Sequence, residues 1–437
     1  MNNQSPACRK KARYRAETFD CMQYLFSAYN DHQIRAVLRF GDLLDASLLR
    51  QAVLRTAGRY PILSCRFVPG PLRPHWEPAA PPAENLLAQA FFSCSEQSGA
   101  DAEAEIGRFI ADRTDEKRGP QLAVRLVRAD GKDTLCIVVN HMVCDGEGFK
   151  EYLYRLCETY AALDAEKAPP AACMGGDRSE RQIFRRLAPA ERRLLFRTPH
   201  GMTGPQEEAR FPFDAERTGA QPLVLRQTLS PARFSAVRAY GKARGFTVND
   251  LVLAAYARAL DRLPVEPAGT PLLLPCMVNL RRYLPEKKAE NLCNLSSMVL
   301  CRAEVRQGEN FEATAARIHS EMSRLKSGSP GLGGLFLLHT LQRLPFALFA
   351  ALFTRHYNNP LLGITNIGIL DESRLTFGAH APFDAYIAAS IKHPPYFQLA
   401  FTTYRNTLSL TVNQICTETD RETVRRFFAL LAEELTL

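Results

Sequence analysis

The chain has 437 residues, 46% of them hydrophobic and 23% charged, a balance that excludes wholesale disorder and a bundle of membrane helices and supplies material for two cores. Its net charge of +9 is modest at this length and favours acidic partners without selecting nucleic acid. Twelve cysteines with no CxxC pair or zinc-like His/Cys cluster argue against a structural metal, and the polar, basic opening Met1 to Tyr14 argues against a secretory leader, so the reduced cytosol is the expected setting.

The first half begins with alternating Ile34, Ala36, Leu38 and Phe40, a strand pattern, and then a helix from about Asp45 to Tyr60-Pro61. Two apolar runs, Gln121 to Arg128 and Thr134 to Asn140, flank Asp130-Gly131, a two-residue hairpin signal. The sequence His141-Met142-Val143-Cys144-Asp145-Gly146 follows the second run, and Phe149, Tyr152, Leu153, Leu156 and Tyr160 recur at helical spacing after it, so a helix is predicted from near Gly148. An imidazole and a carboxylate thus occupy a tight strand-to-helix loop, a place where reactive groups gather. That pairing suggests a general base with a supporting group.

From Ala161 to Pro222 the character changes. Pro169, Pro170, Gly175, Gly176, Pro189, Pro199, Gly201, Gly204 and Pro205 punctuate a stretch with seven arginines between Arg178 and Arg197, which reads as a crossover between domains. The second half restarts with a strand, Leu223 to Leu229, and a helix whose start is marked by Thr247 and Asp250 at capping-box spacing. An apolar run, Leu272 to Leu280, contains Pro275, which predicts an edge strand or a bulge. Tyr396 to Tyr404 and Thr407 to Val412 flank Arg405-Asn406 as a second hairpin, and Asp420 is expected to cap a last helix. The longest apolar run, Leu344 to Phe353, is interrupted by Pro345 and is too short to span a bilayer. No short-period repeat is visible, although the two halves suit two copies of one sheet-plus-helix architecture.

His-x-x-x-Asp-Gly between an apolar strand and an amphipathic helix resembles the active-site motif of the chloramphenicol acetyltransferase-like superfamily, the acyltransferases that include condensation domains and alcohol acyltransferases. Four further segments resemble landmarks of that family in the expected order: Leu48 to Ala52 with Arg59-Tyr60-Pro61-Ile62-Leu63, Gly245 to Asp250, Val278-Asn279-Leu280-Arg281 with Asn291, and Thr365-Asn366-Ile367-Gly368. The resemblance implies an α/β (α+β) fold of two similar lobes, each a mixed sheet flanked by helices, joined in a V with a central tunnel. The corresponding division is residues 1–165, a crossover over 166–222, and a second lobe over 223–437. It also implies that His141 is the base, that Asp145 orients the loop through an ion pair with Arg281, and that Gly146 leaves room for a pantetheine arm. Thr365 or Asn366 would supply an oxyanion donor. The donor substrate would be acyl-CoA or an acyl-phosphopantetheine carrier protein, with no bound cofactor and no metal, and the acceptor a small alcohol or amine. Asn140 stands where condensation domains usually carry a second histidine, which tilts the expectation toward ester formation; the plant-type D-F-G-W-G motif has no counterpart, and the only tryptophan is Trp76.

Blander readings exist for each feature. His141 and Asp145 as metal ligands lack a second histidine nearby, and Cys144 has no adjacent base, so it reads as a small apolar filler. Gly331 to Gly334 follows Ser329-Pro330 and lacks a phosphate-loop pattern, which makes it a turn. The arginines from Arg178 to Arg197 alternate with acids and read as a solvated crossover in preference to a nucleic-acid site. Leu335 to Phe353 fits a buried helix broken at Pro345 equally with a face that touches a membrane or lines a lipophilic acyl tunnel. The competing functional classes are an amide-forming relative and a catalytically silent module that docks a carrier protein or a membrane.

Overall fold

The structure, a computed structural model, describes residues 13–79, 90–168, 176–197, 209–265 and 272–437. Strands are numbered in chain order. The first lobe is built on a five-stranded sheet of order β12-β2-β7-β6-β5, comprising β2 (Gln33–Arg39), β5 (Phe92–Glu96), β6 (Leu122–Ala129), β7 (Lys132–Asn140) and β12 (Asp384–Ala388). Strands β6 and β7 are joined at Asp130-Gly131, where both residues take positive φ (52° and 72°), as a right-twisted two-residue turn demands. Helices Ala46–Gly58 and Gly146–Asp164 pack together on one face, and helix Gly99–Ala111 covers the other. A small sheet, β1 (Tyr14–Arg15), β4 (His75–Pro78) and β3 (Cys65–Val68), adjoins this lobe.

The second lobe has a six-stranded sheet of order β10-β9-β11-β13-β14-β8: β8 (Gln221–Leu229), β9 (Leu272–Asn279), β10 (Ser296–Ala303), β11 (Leu362–Ile369), β13 (Phe397–Tyr404) and β14 (Thr407–Cys416). Its own buried core is formed with helices Pro231–Arg244, Val248–Asp261, Phe311–Lys326 and Glu418–Glu434. Both lobes are mixed sheets with helices packed over them.

Several expectations change in three dimensions. The stretch 223–437 is not one lobe, because β12 leaves it to become the edge of the first sheet beside β2. Tyr386 and Ala388 pack under helix Gly99–Ala111 while Ala385 and Ile387 enter the main first-lobe core, so this strand buries both faces. Arg226 of β8 holds Asp384 through two hydrogen bonds of 2.6 and 2.7 Å and so ties the two sheets at that edge. Pro275 lies in an interior strand, paired with Leu300 of β10, and β9 meets β11 at the single bridge of Cys276 with Ile364. Helix Pro231–Arg244 was hidden by its three-residue buried stripe of Phe234, Val237 and Gly241. Thr417, not Asp420, caps the last helix, while Asp420 completes the capping box and pairs with Arg217.

The crossover is not wholly solvated. Helices Arg181–Phe184 and Pro189–Arg197 carry Ile183, Phe184 and Leu195 into a third cluster with Phe19, Leu280, Cys293 and Leu335. Arg178 is bidentate to Asp20 at 3.0 and 3.1 Å. Pro169, Pro170, Gly175, Pro199, Gly201, Gly204 and Pro205 lie outside the described residues. The apolar stretch Leu335 to Phe353 is two helices, Leu332–Leu341 and Phe346–His356, broken before Pro345; Phe346, Phe349 and Phe353 are buried while Leu348 is 47% exposed. Among the described residues no helix is long and apolar enough to cross a membrane.

Candidate active site

The central strand β7 runs buried to Asn140, and the chain then turns sharply. Asn140 makes the turn: its Oδ1 accepts from the Met142 N–H at 2.9 Å and its carbonyl from the Val143 N–H at 3.0 Å. The residue that distinguishes this motif from a double histidine is therefore a structural part of the loop. His141 N–H donates to the His32 carbonyl at 2.7 Å, which fixes the backbone from which the imidazole projects.

A strap from the second half, Cys293-Asn294-Leu295, lies against this loop and engages it at three successive residues. The Asn294 amide Nδ2 donates to the carbonyls of His141 (2.8 Å) and Met142 (3.1 Å), which leaves its Oδ1 facing His141 Nδ1 at 3.2 Å. Because Oδ1 can only accept, Nδ1 carries the ring proton and the lone pair sits on Nε2. Burial pushes the His141 pKa below its ordinary value of 6.5, and the charge of Lys392 pushes the same way against the opposing pull of Asp145. A neutral imidazole with Nε2 as the basic atom is the resulting state.

Asp145 does not touch this imidazole through its remaining valences. It caps helix Gly146–Asp164, with Oδ1 accepting from the Gly148 N–H at 2.8 Å, while Oδ2 accepts from Arg281 Nη1 and from the Leu295 N–H, both at 2.7 Å. Arg281 completes the link by donating through Nη2 to the Cys293 carbonyl at 3.0 Å. Both charged residues are buried, at 4% and 3% exposure. Burial alone would raise the Asp145 pKa, but the Arg281 guanidinium and the two backbone donors outweigh it and hold the carboxyl below the usual carboxylate range. Arg281 is positioned by the turn at the end of β9, where Asn279 Oδ1 accepts from its N–H at 3.0 Å.

The two glycines of the loop differ. A Cβ on Gly146 would meet only Ile367 of β11, at 3.6 Å, whereas one on Gly148 would lie 3.0 Å from Cys144 Cβ and 3.1 Å from the Cys293 carbonyl oxygen. Close packing requires Gly148. Strand β11 reaches the same helix start through a bulge at Asn366 to Gly368, where Gly368 has φ 91° and lies beside Lys150 Nζ. Thr365 is half-buried and Asn366 exposed; Asn366 Oδ1 accepts from the Gly368 N–H at 2.8 Å and so stabilises the bulge. No direct contact between either residue and His141 occurs among the described hydrogen bonds. Asn291 binds the Gly176 carbonyl at 3.1 Å, away from the imidazole. The sequence reading missed Asn294 and Lys392, which no spacing marks. Cys144 is buried and burial keeps its thiol far above the ordinary range, which suits a filler.

The fold has counterparts among solved structures. The chain superimposes on the first condensation domain of the CDA synthetase with a TM-score of 0.70 over 97% of this chain and 96% of that one, at 19% identity. Its fold is therefore that of a condensation domain, with two lobes of sheet and helices. Another such structure is the trichothecene 15-O-acetyltransferase from Fusarium sporotrichioides (TM-score 0.69, 13% identity, 100% and 98% coverage). A third is the starter condensation domain of rhizomide synthetase, solved with C8-CoA and Leu-SNAC (TM-score 0.65, 14% identity, 97% and 95% coverage). Residues 218–378 match the family described as phthiocerol/phthiodiolone dimycocerosyl transferase C-terminus. Among curated proteins none matches by sequence. In this condensation-type fold the His141 loop belongs to one lobe and its strap to the other.

Two stability experiments follow. Arg281→Met should lower the unfolding free energy by about 3–5 kcal/mol in denaturant titrations, since it leaves Asp145 charged and unpaired in the interior, and the double variant with Asp145→Asn should recover part of that loss. Gly148→Ala should cost about 1–3 kcal/mol through overpacking while Gly146→Ala changes thermal stability little. Equal losses for the two glycines would contradict the packing described.

Proposed function

We propose that this protein is an acyltransferase that moves an acyl group from a CoA or carrier-protein thioester to an alcohol, with His141 as general base. The observation that carries the reading is the fixed tautomer: Asn294 holds the proton on Nδ1, and Nε2 is left as the base. The acceptor oxygen attacks the thioester carbonyl carbon as Nε2 takes its proton. The tetrahedral oxyanion then collapses, the carbon–sulfur bond breaks, and the imidazolium returns the proton to the leaving thiolate. Asp145 anchors the loop and stays ionised throughout. Gly146, facing Ile367 with room to spare, lines the approach of the pantetheine arm, and Thr365 with the Asn366 amide Nδ2 are the candidate oxyanion donors. A thioester needs no metal activation in this scheme.

Relatives of this fold include an O-acetyltransferase and condensation domains, and one of the latter was solved with an acyl-CoA. The choice of a hydroxyl acceptor rests on Asn140, whose side chain is consumed by the loop where a second histidine would stand. An amine acceptor is the second reading, and the condensation-domain neighbours favour it.

Incubating the protein with acyl-CoAs and mixed alcohol and amine acceptors, with products identified by mass spectrometry, tests both. Ester products should form, and His141→Ala should lower turnover ~10²–10⁴-fold without loss of fold; unimpaired transfer by that variant would refute the assignment. The pH profile provides a second check. Activity requires neutral His141, whose pKa is depressed, so kcat/KM should persist below pH 6.5 and fall only at lower pH. Lys392→Met removes a repelling charge and should move that acid limb to higher pH.

A further inference from the structure

A cavity of about 500 Å³ opens where the small sheet meets the break between helices Leu332–Leu341 and Phe346–His356. Arg13, Arg15, Arg73 and Arg343 stand around it, and no acidic residue lines it among the described residues. None of the four guanidinium groups makes a direct ion pair among the described residues, although Arg13 acts on Glu77 and Arg15 on Glu17 at longer range. Elsewhere in the molecule arginines are commonly matched to carboxylates, as at Arg226–Asp384 and Arg281–Asp145. The floor is apolar, formed by Leu344, Phe346 and Phe349, and Leu72, 65% exposed, lies at its mouth.

The walls are built, not loose. Arg73 donates to the carbonyls of Gln342 (3.2 Å) and Arg343 (3.1 Å), closing the end of helix Leu332–Leu341. The N–H groups of Phe346 and Ala347 donate to the carbonyls of Leu72 (3.1 Å) and Pro71 (2.9 Å), which pins the loop before β4 to the start of the next helix. Arg15 donates to Gln342 Oε1 at 3.4 Å. The volume lies in the usual range for small-molecule sites. The apolar stretch around Pro345 thus furnishes a lined cavity, and its lining shares no residue with the His141 loop or the strap.

We propose that this cavity is a second ligand site that binds a single-chain fatty carboxylate, with the alkyl chain over Leu344, Phe346 and Phe349 and the carboxylate among the arginines. Guanidinium groups match a carboxylate in shape and charge, and a lining that carries four of them without a carboxylate favours an anionic over a neutral amphiphile. The inference is independent of the proposed acyl transfer, since binding can be read without turnover.

The molecule carries its own reporter. Trp76, its only tryptophan, pairs across β1 and β4 with Tyr14 and adjoins His75, and both of those residues line the cavity. The full chain is titrated with monomeric palmitate, with hexadecanol, and with anionic and neutral phospholipid vesicles, following Trp76 emission and heat of binding. Saturable one-to-one binding of palmitate is expected, at least tenfold tighter than hexadecanol. The exposed-residue variant Arg13→Glu/Arg343→Glu should weaken it at least tenfold, and His141→Ala should leave it unchanged. Equal affinity for palmitate and hexadecanol, binding unaffected by the double charge reversal, loss in His141→Ala, or capture by anionic vesicles without binding of monomeric palmitate would each overturn the proposal.

Discussion

The buried ion pair between Asp145 and Arg281 is the interaction on which the rest of the site depends. An isolated charge in this interior would be costly, and each partner is tolerated only because the other, together with backbone donors and acceptors, satisfies it. The pair therefore cannot form unless the end of β9, the strap and the loop after β7 arrive together. Asp145 also caps helix Gly146–Asp164, so the same carboxylate fixes where that helix begins. One side chain joins a helix start, the His141 loop and the second lobe.

The strap carries that anchor on to the imidazole. Cys293 and Leu295 serve the ion pair, and Asn294 between them serves the imidazole. Neighbouring residues in an extended segment point in alternate directions, so a strap held by its flanking residues presents its middle one with little freedom. A histidine of undefined tautomer becomes one whose lone pair is assigned to Nε2. The depressed pKa acts in the same sense, keeping the ring neutral and able to accept a proton. The lobes are bound to each other a second time at the far edge, where β12 crosses to the first sheet and Asp384 is gripped by Arg226. Two such ties give the loop a rigid frame on both sides.

Local signals served where physics is local. The Asp130-Gly131 and Arg405-Asn406 turns, the Thr247–Asp250 capping box and the helical stripe after Gly148 follow from neighbouring residues, and each stands in the structure. They failed where distant partners decide. Pro275 suggested an edge or a bulge, but its strand lies between β10 and β11. The crossover looked solvated because its arginines alternate with acids, yet Ile183, Phe184 and Leu195 find a shared core with Phe19 and Leu335. Asp420 had the composition of a cap, and Thr417, three residues earlier, took the position.

The sequence by itself determined the strand-loop-helix unit that carries His141 and Asp145, because hairpin chemistry, apolar periodicity and helix capping act over a few residues. Only the tertiary structure decided that Asn294 sets the imidazole proton, that Gly148 and not Gly146 is demanded by packing, and that β12 completes the first sheet. Each of those involves the approach of a segment more than a hundred residues away, the Cys293 carbonyl joining the nearby Cys144 in the case of Gly148, and there buried charge and close packing, not local preference, select the partner.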